Sequence, residues 1–126
     1  VKVLVTGSRD WPERQRVWDA LNFVGDVTTV VHGNCPTGAD QMAKAWAMRH
    51  KVEMSIFPAR WSEHGRAAGP IRNEQMVNAG ADICLAFISE CTSSRCDIEE
   101  FHYSHGATGC ADLAESAGIK TIRIHL

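Results

Sequence analysis

Apolar positions along the chain alternate between two rhythms. Residues 1–6 form a β-branched run that stops at Gly7. Residues 13–24 then place Val17, Leu21 and Val24 on one helical face, the spacing of an amphipathic helix. A second strand is predicted over residues 27–32, closed by Gly33. A helix follows over 39–50, with Ala39, Met42, Ala43 and Trp46 at helical spacing. Residues 52–57 read as a third strand, stopped by Pro58. The polar stretch 59–69 reads as a loop. Residues 70–79 read as a helix with Pro70 in its first turn, where a missing N–H costs nothing. Residues 81–88 are almost continuously apolar, as in a strand buried on both faces. A last helix over 107–117 ends at Gly118, a C′ residue, and residues 119–126 form the final strand.

Strands and helices in strict alternation imply a parallel sheet covered on both faces. With right-handed crossovers, the expectation is an α/β, Rossmann-like, three-layer domain with a mostly parallel five-stranded sheet. Ligands in such folds bind beyond the carboxyl ends of the strands. The loops to inspect are therefore 7–11, 33–40, 58–69 and 89–106. The last is unusually long and rich in Ser, Cys and acids, as a lid or an insertion would be. There is no internal repeat.

Composition narrows the partners. The 126 residues suit one domain spanning 1–126, and 44% hydrophobic content is enough for a core. No apolar run approaches the ~20 residues of a membrane span. Thirteen Lys+Arg against fifteen Asp+Glu lack the basic excess of a nonspecific nucleic-acid binder. The five cysteines, Cys35, Cys84, Cys91, Cys96 and Cys110, are an odd count in a chain that needs no staples. They suggest reduced thiols and, with no export signal at the start, a cytoplasmic location.

Four stretches carry candidate chemistry. Gly7-Ser8-Arg9 lets backbone N–H groups approach an anion, with Arg9 as a guanidinium fork; an exposed Arg on a tight turn is the plain alternative. It is not a GxGxxG fingerprint, which disfavours a dinucleotide dehydrogenase. His32-Gly33…Thr37-Gly38-Ala39-Asp40 reads either as a glycine-lined phosphate cradle with Asp40 on a ribose hydroxyl, or as a capped helix start. His64, Arg66, Arg72 and Asn73 cluster around a helix start, as ligand groups or as solvated charge. Gly106-Ala107-Thr108 opens the last helix, whose free N–H groups suit a phosphate. Trp11 and Trp61 fit stacking on a base or covering the core. Cys91, Cys96, His102 and His105 are zinc-type donors, but their spacing is not that of a standard finger. The expectation is that they bind no metal.

Taken together, Val5-Thr6-Gly7-Ser8-Arg9, His32-Gly33…Thr37-Gly38-Ala39-Asp40, Gly69-Pro70-Ile71-Arg72-Asn73-Glu74-Gln75-Met76, Gly80-Ala81-Asp82 and Ser104-His105-Gly106-Ala107 resemble the YspA, cpYpsA-related branch of the SLOG superfamily. That superfamily also holds the Lonely Guy phosphoribohydrolases and a DprA domain. The resemblance implies a Rossmannoid domain, bacterial or phage, that binds or senses a nucleotide-derived ligand with no required cofactor. A homodimer is compatible with it. The implied ligand residues are Gly7, Ser8, Arg9, Gly33, Gly38, Asp40, Arg72, Asn73, Gly106, Ala107 and Thr108. Arg72 matches the arginine of the Lonely Guy enzymes, but their glutamate falls at Cys110. A neutral thiol is a poor substitute for a group that assists glycosidic cleavage. Glu99 and Glu100 in the long loop are the replacement candidates beside Arg72. Binding is therefore the first reading, a nucleotide N-glycosidase the second, and DprA-like single-stranded DNA binding the weakest.

Overall fold

The computed structural model describes residues 1–93, 96–98 and 100–126. Five strands, β1 (Lys2–Gly7), β2 (Thr29–His32), β3 (Glu53–Ile56), β4 (Ile83–Ile88) and β5 (Lys120–His125), make one sheet in the order β3-β2-β1-β4-β5. Every pairing is parallel. The helices are α1 (Arg14–Val24), α2 (Ala39–Arg49), α3 (Trp61–His64), α4 (Ala68–Ala79) and α5 (His105–Ser116). Among the described residues no helix is long and apolar enough to cross a membrane.

The period of two along the strands sorts side chains to the two faces. Val3, Val5, Val30, Ile83, Leu85 and Phe87 pack with Val17 and Leu21 of α1 and with Ala43, Trp46 and Ala47 of α2. Leu4, Val31 and Cys84 go the other way, onto Met76 and Val77 of α4 and Cys110 and Ala114 of α5. Ala86 and Ile88 extend that second face onto Ala107 and Ala111. The continuous apolar run of β4 is thus one strand buried on both sides, as its pattern predicts.

The stretch 59–69 departs from its expectation as a loop. It holds the four-residue α3 and a 3-10 turn over Gly65–Ala67 that runs into α4. The Trp61 ring lies against Gly69, 3.4 Å from the position a Cβ would take there. Polar composition hides this turn, because one aromatic contact within the segment, Trp61 on Gly69, spans it. Helix α4 starts two residues before Pro70, still within the first turn, where the first N–H groups have no intrahelical acceptor. Helix α5 likewise starts at His105. It ends as expected, with Gly118 at φ +80 donating to the Glu115 carbonyl at 3.0 Å.

The sheet winds one way through β2 and β3 and the other way through β4 and β5. The order reverses beside β1, the switch point at which folds of this kind place a ligand crevice at the carboxyl edge.

Candidate functional site

Gly7 closes β1 in register with Phe87, and the next residue turns inward. Ser8 is buried; its N–H donates to the Phe87 carbonyl at 2.9 Å, and its hydroxyl accepts the Ser89 N–H at 2.9 Å. Ser8 therefore stitches the β1 and β4 loops together at the crevice. Arg9 is exposed, with its guanidinium 5.3 Å from the centroid of the half-exposed Trp61 ring. Trp11, by contrast, is core: it is buried against Phe87, and its indole N–H donates to the Glu13 carbonyl.

The loop after β2 is shaped by close approach. Gly38, the N-cap residue of α2, has φ +74, and a Cβ there would run into the Ser8 and Arg9 carbonyls. Asp40 is buried, and its Oδ2 accepts the Cys35 N–H at 3.1 Å. Burial raises its pKa, against the pull of that hydrogen bond and of Arg72. Its carboxylate folds the loop onto itself.

Arg72 lies across this loop. A Cβ at Gly33 would fall on its guanidinium, 2.6 Å from Cζ. Arg72 Nη1 donates to the Gly33 carbonyl at 2.9 Å and Nε to Asn73 Oδ1 at 2.9 Å. The buried Asn73 passes the connection on, its Nδ2 donating to the Gly106 carbonyl at 3.2 Å. Four residues from three distant segments, Gly33, Arg72, Asn73 and Gly106, thus form one hydrogen-bonded relay from the β2 loop to the start of α5. There, Ser104 makes no side-chain capping bond. The first N–H groups of α5, including Ala107, have no intrahelical acceptor and carry the positive end of the helix dipole. A Cβ at Gly106 would meet nothing within 4 Å, so the space beside it is open.

Thr108 points elsewhere. Its buried hydroxyl lacks a partner among the described residues, and it lines a groove of about 440 Å³ beneath the long loop with Ile98, His102, Tyr103, His105, Gly109 and Asp112. Cys110 is buried under the relay, and burial pushes its thiol up to about 11. It stays protonated at neutral pH. Glu100 is exposed, and its backbone carbonyl accepts from His102 Nδ1 at 2.8 Å. Glu99 lies outside the described residues.

Two features exceed what the sequence pattern conveyed. His32 closes β2 fully buried, its Nδ1 accepting the Asn34 N–H at 3.0 Å. The proton of the neutral ring must then sit on Nε2, which has no partner among the described residues. Burial, helped by Lys44 and Arg72, lowers its pKa to about 4. A histidine ending a strand just before a glycine was the available signal. The second feature is the convergence of Cys91, Cys96, His102 and His105, despite spacing that fits no standard finger. There the Cys96 thiol is drawn down to about 7, chiefly by its hydrogen bond with His105, and the carbonyl of Glu100 raises His102.

The family model described as the YspA, cpYpsA-related SLOG family matches residues 1–64, the half carrying the β1 and β2 loops. Over nearly its whole length the chain is similar to the "Gene 61 protein" of Mycobacterium phage D29. The two are 41% identical over 132 residues, which cover 96% of this chain and 94% of the phage protein. No solved structure matches the chain.

Proposed function

The chain belongs to the YspA, cpYpsA-related SLOG family, and on that premise we propose that it binds the phosphate-bearing part of a nucleotide or nucleotide-derived ligand at the carboxyl edge of the sheet. The observation that carries this reading is the Gly33–Arg72–Asn73–Gly106 relay. It holds a guanidinium beside an uncapped helix N-terminus with open space next to it. A guanidinium fork and converging N–H groups are what a phosphate needs. The Arg9–Trp61 pair at the same edge offers a cation and an exposed ring face for the base.

Binding is favoured over glycosidic cleavage. The side chain at the glutamate position of the Lonely Guy pattern is a buried, protonated thiol. A thiol held protonated there is a poor group to assist departure of the base.

Calorimetric titration with AMP, ADP-ribose and NAD tests the reading. At least one is expected to bind better than millimolar, and Arg72→Ala to weaken it at least about tenfold, roughly 1.4 kcal/mol. Binding no better than millimolar for all three, with Arg72→Ala silent, would overturn it. Release of free base from AMP addresses the chemistry. Wild type is expected to be silent, and robust turnover abolished by Arg72→Ala would make the protein an enzyme.

A further inference from the structure

The loop between β4 and α5 gathers four side chains that the nucleotide reading does not use. One donor atom each from Cys91, Cys96, His102 and His105 lies within 4.8 Å of all the others. Cys96 Sγ is 3.3 Å from His102 Nε2 and 3.5 Å from His105 Nε2. Bonds of about 2.3 Å to sulfur and 2.0 Å to nitrogen around one tetrahedral zinc ion put neighbouring donors roughly 3.3–3.8 Å apart. The two measured edges match that figure.

The backbone prepares the cluster. Glu90 pairs with Tyr103 in an antiparallel bridge, and Ser104 N–H donates to the Ser89 carbonyl at 2.9 Å. Cys91 N–H donates to the His102 carbonyl at 2.8 Å, so these two donors face each other across a narrow neck. His105 is the first residue of α5. His102 Nδ1 faces the Glu100 carbonyl at 2.8 Å, and a carbonyl only accepts, so the ring proton sits on Nδ1. The Nε2 lone pair is then turned toward Cys96. Metal-bound imidazoles are oriented by the same kind of outer hydrogen bond.

We propose that Cys91, Cys96, His102 and His105 form a tetrahedral site for a thiophilic divalent cation of the zinc type. Four protein donors fill the coordination sphere, which makes the site closed and structural. Binding converts the two thiols to thiolates and releases their protons to solvent. The ion ties the tip of the loop to the first residue of α5. The loop is also joined to the β1–α1 turn, where the Thr92 hydroxyl donates to Asp10. Metal occupancy therefore orders one wall of the crevice.

The test is metal analysis of freshly purified, reduced protein, followed by cobalt(II) titration of the chelator-stripped chain. Expected are one ion per chain, the intense visible bands of tetrahedral cobalt with thiolate charge transfer in the near ultraviolet, and displacement by equimolar zinc. Cys96→Ser and His105→Gln, each checked for an unchanged far-ultraviolet circular dichroism spectrum, should each weaken binding. At least about 100-fold is expected, since losing even an outer partner costs 10–100-fold. His50→Gln, whose ring stacks on Trp46 of α2, should bind like wild type. Weak octahedral bands, binding indifferent to Cys96→Ser and His105→Gln, or metal-free protein with a Cys91–Cys96 disulfide would each overturn the proposal. Nucleotide titration reads a different site, so either result can fail without the other.

Discussion

The two walls of the crevice are built on different principles. On the β1–β2 side, backbone meets backbone without room for a methyl group, and a half-buried relay joins the β2 loop to the start of α5. On the β4 side, the excursion is held by the Glu90–Tyr103 bridge, the backbone bonds flanking it and the Thr92–Asp10 contact, and Ile98, Phe101 and Tyr103 are exposed. The first wall is held by closely packed backbone and by that relay. The second depends on a few contacts at its base. Close packing marks one wall and exposure the other, and candidate chemistry sits on both sides of that divide.

The largest effect expected from this contrast comes at Gly38. Gly38→Ala places a side chain at φ +74 against two backbone carbonyls, and a loss of about 3 kcal/mol is expected in urea denaturation. Gly109→Ala, in the interior of α5 with nothing near its Cβ, should be neutral or stabilise by up to ~1 kcal/mol. Equal effects at the two glycines would erase the distinction between the walls.

Acid should act next, through His32. A folded pKa of about 4 against an ordinary 6.5 means the unfolded chain binds the proton more tightly. The associated stability is full above pH 6.5 and is lost as pH falls toward 4, on the order of 2–3 kcal/mol. His32→Gln should flatten that part of the pH–stability curve. A variant with the wild-type slope would show that the ring is not the group responsible.

Arg72→Lys sharpens the comparison from the ligand side. It keeps the charge but loses the fork that reaches Gly33 and Asn73 together, so nucleotide affinity should fall by about 1 kcal/mol in calorimetry. The smallest effect is expected on the other wall. In metal-free protein, Cys96→Ser should change urea stability by no more than about 0.5 kcal/mol, as at an ordinary surface position. A larger loss would mean the loop carries stability of its own.

Much of this architecture was legible in the chain. The alternation of β-branched runs with helical spacing, and the unbroken apolar run at 83–88, indicate a parallel sheet before any coordinate is seen. The glycines after β1 and β2 mark the edge where backbones crowd. What stayed hidden depends on contacts between distant residues. Trp11 read as either cover or stacking group, and only its packing on Phe87 decides for the core. The turn of α3 follows from where Trp61 lies, not from its own polar composition. Arg72 and Asn73 were legible as candidates, but the relay to Gly106 was not, since 33 residues separate Asn73 from Gly106. The thiol–imidazole cluster was obscured for the same reason: a neck formed by residues 90 and 103 folds its irregular spacing into one constellation.

That neck also makes the excursion interchangeable. The chain leaves the sheet at Ser89 and returns at Ser104, two residues already hydrogen-bonded to each other. A replacement segment has the same short gap to close whatever its length. Its closure entropy grows only logarithmically, about 0.6 kcal/mol for each doubling. The span between is thus a cassette, open to a shorter turn, a longer lid or a grafted epitope without retuning β4 or α5.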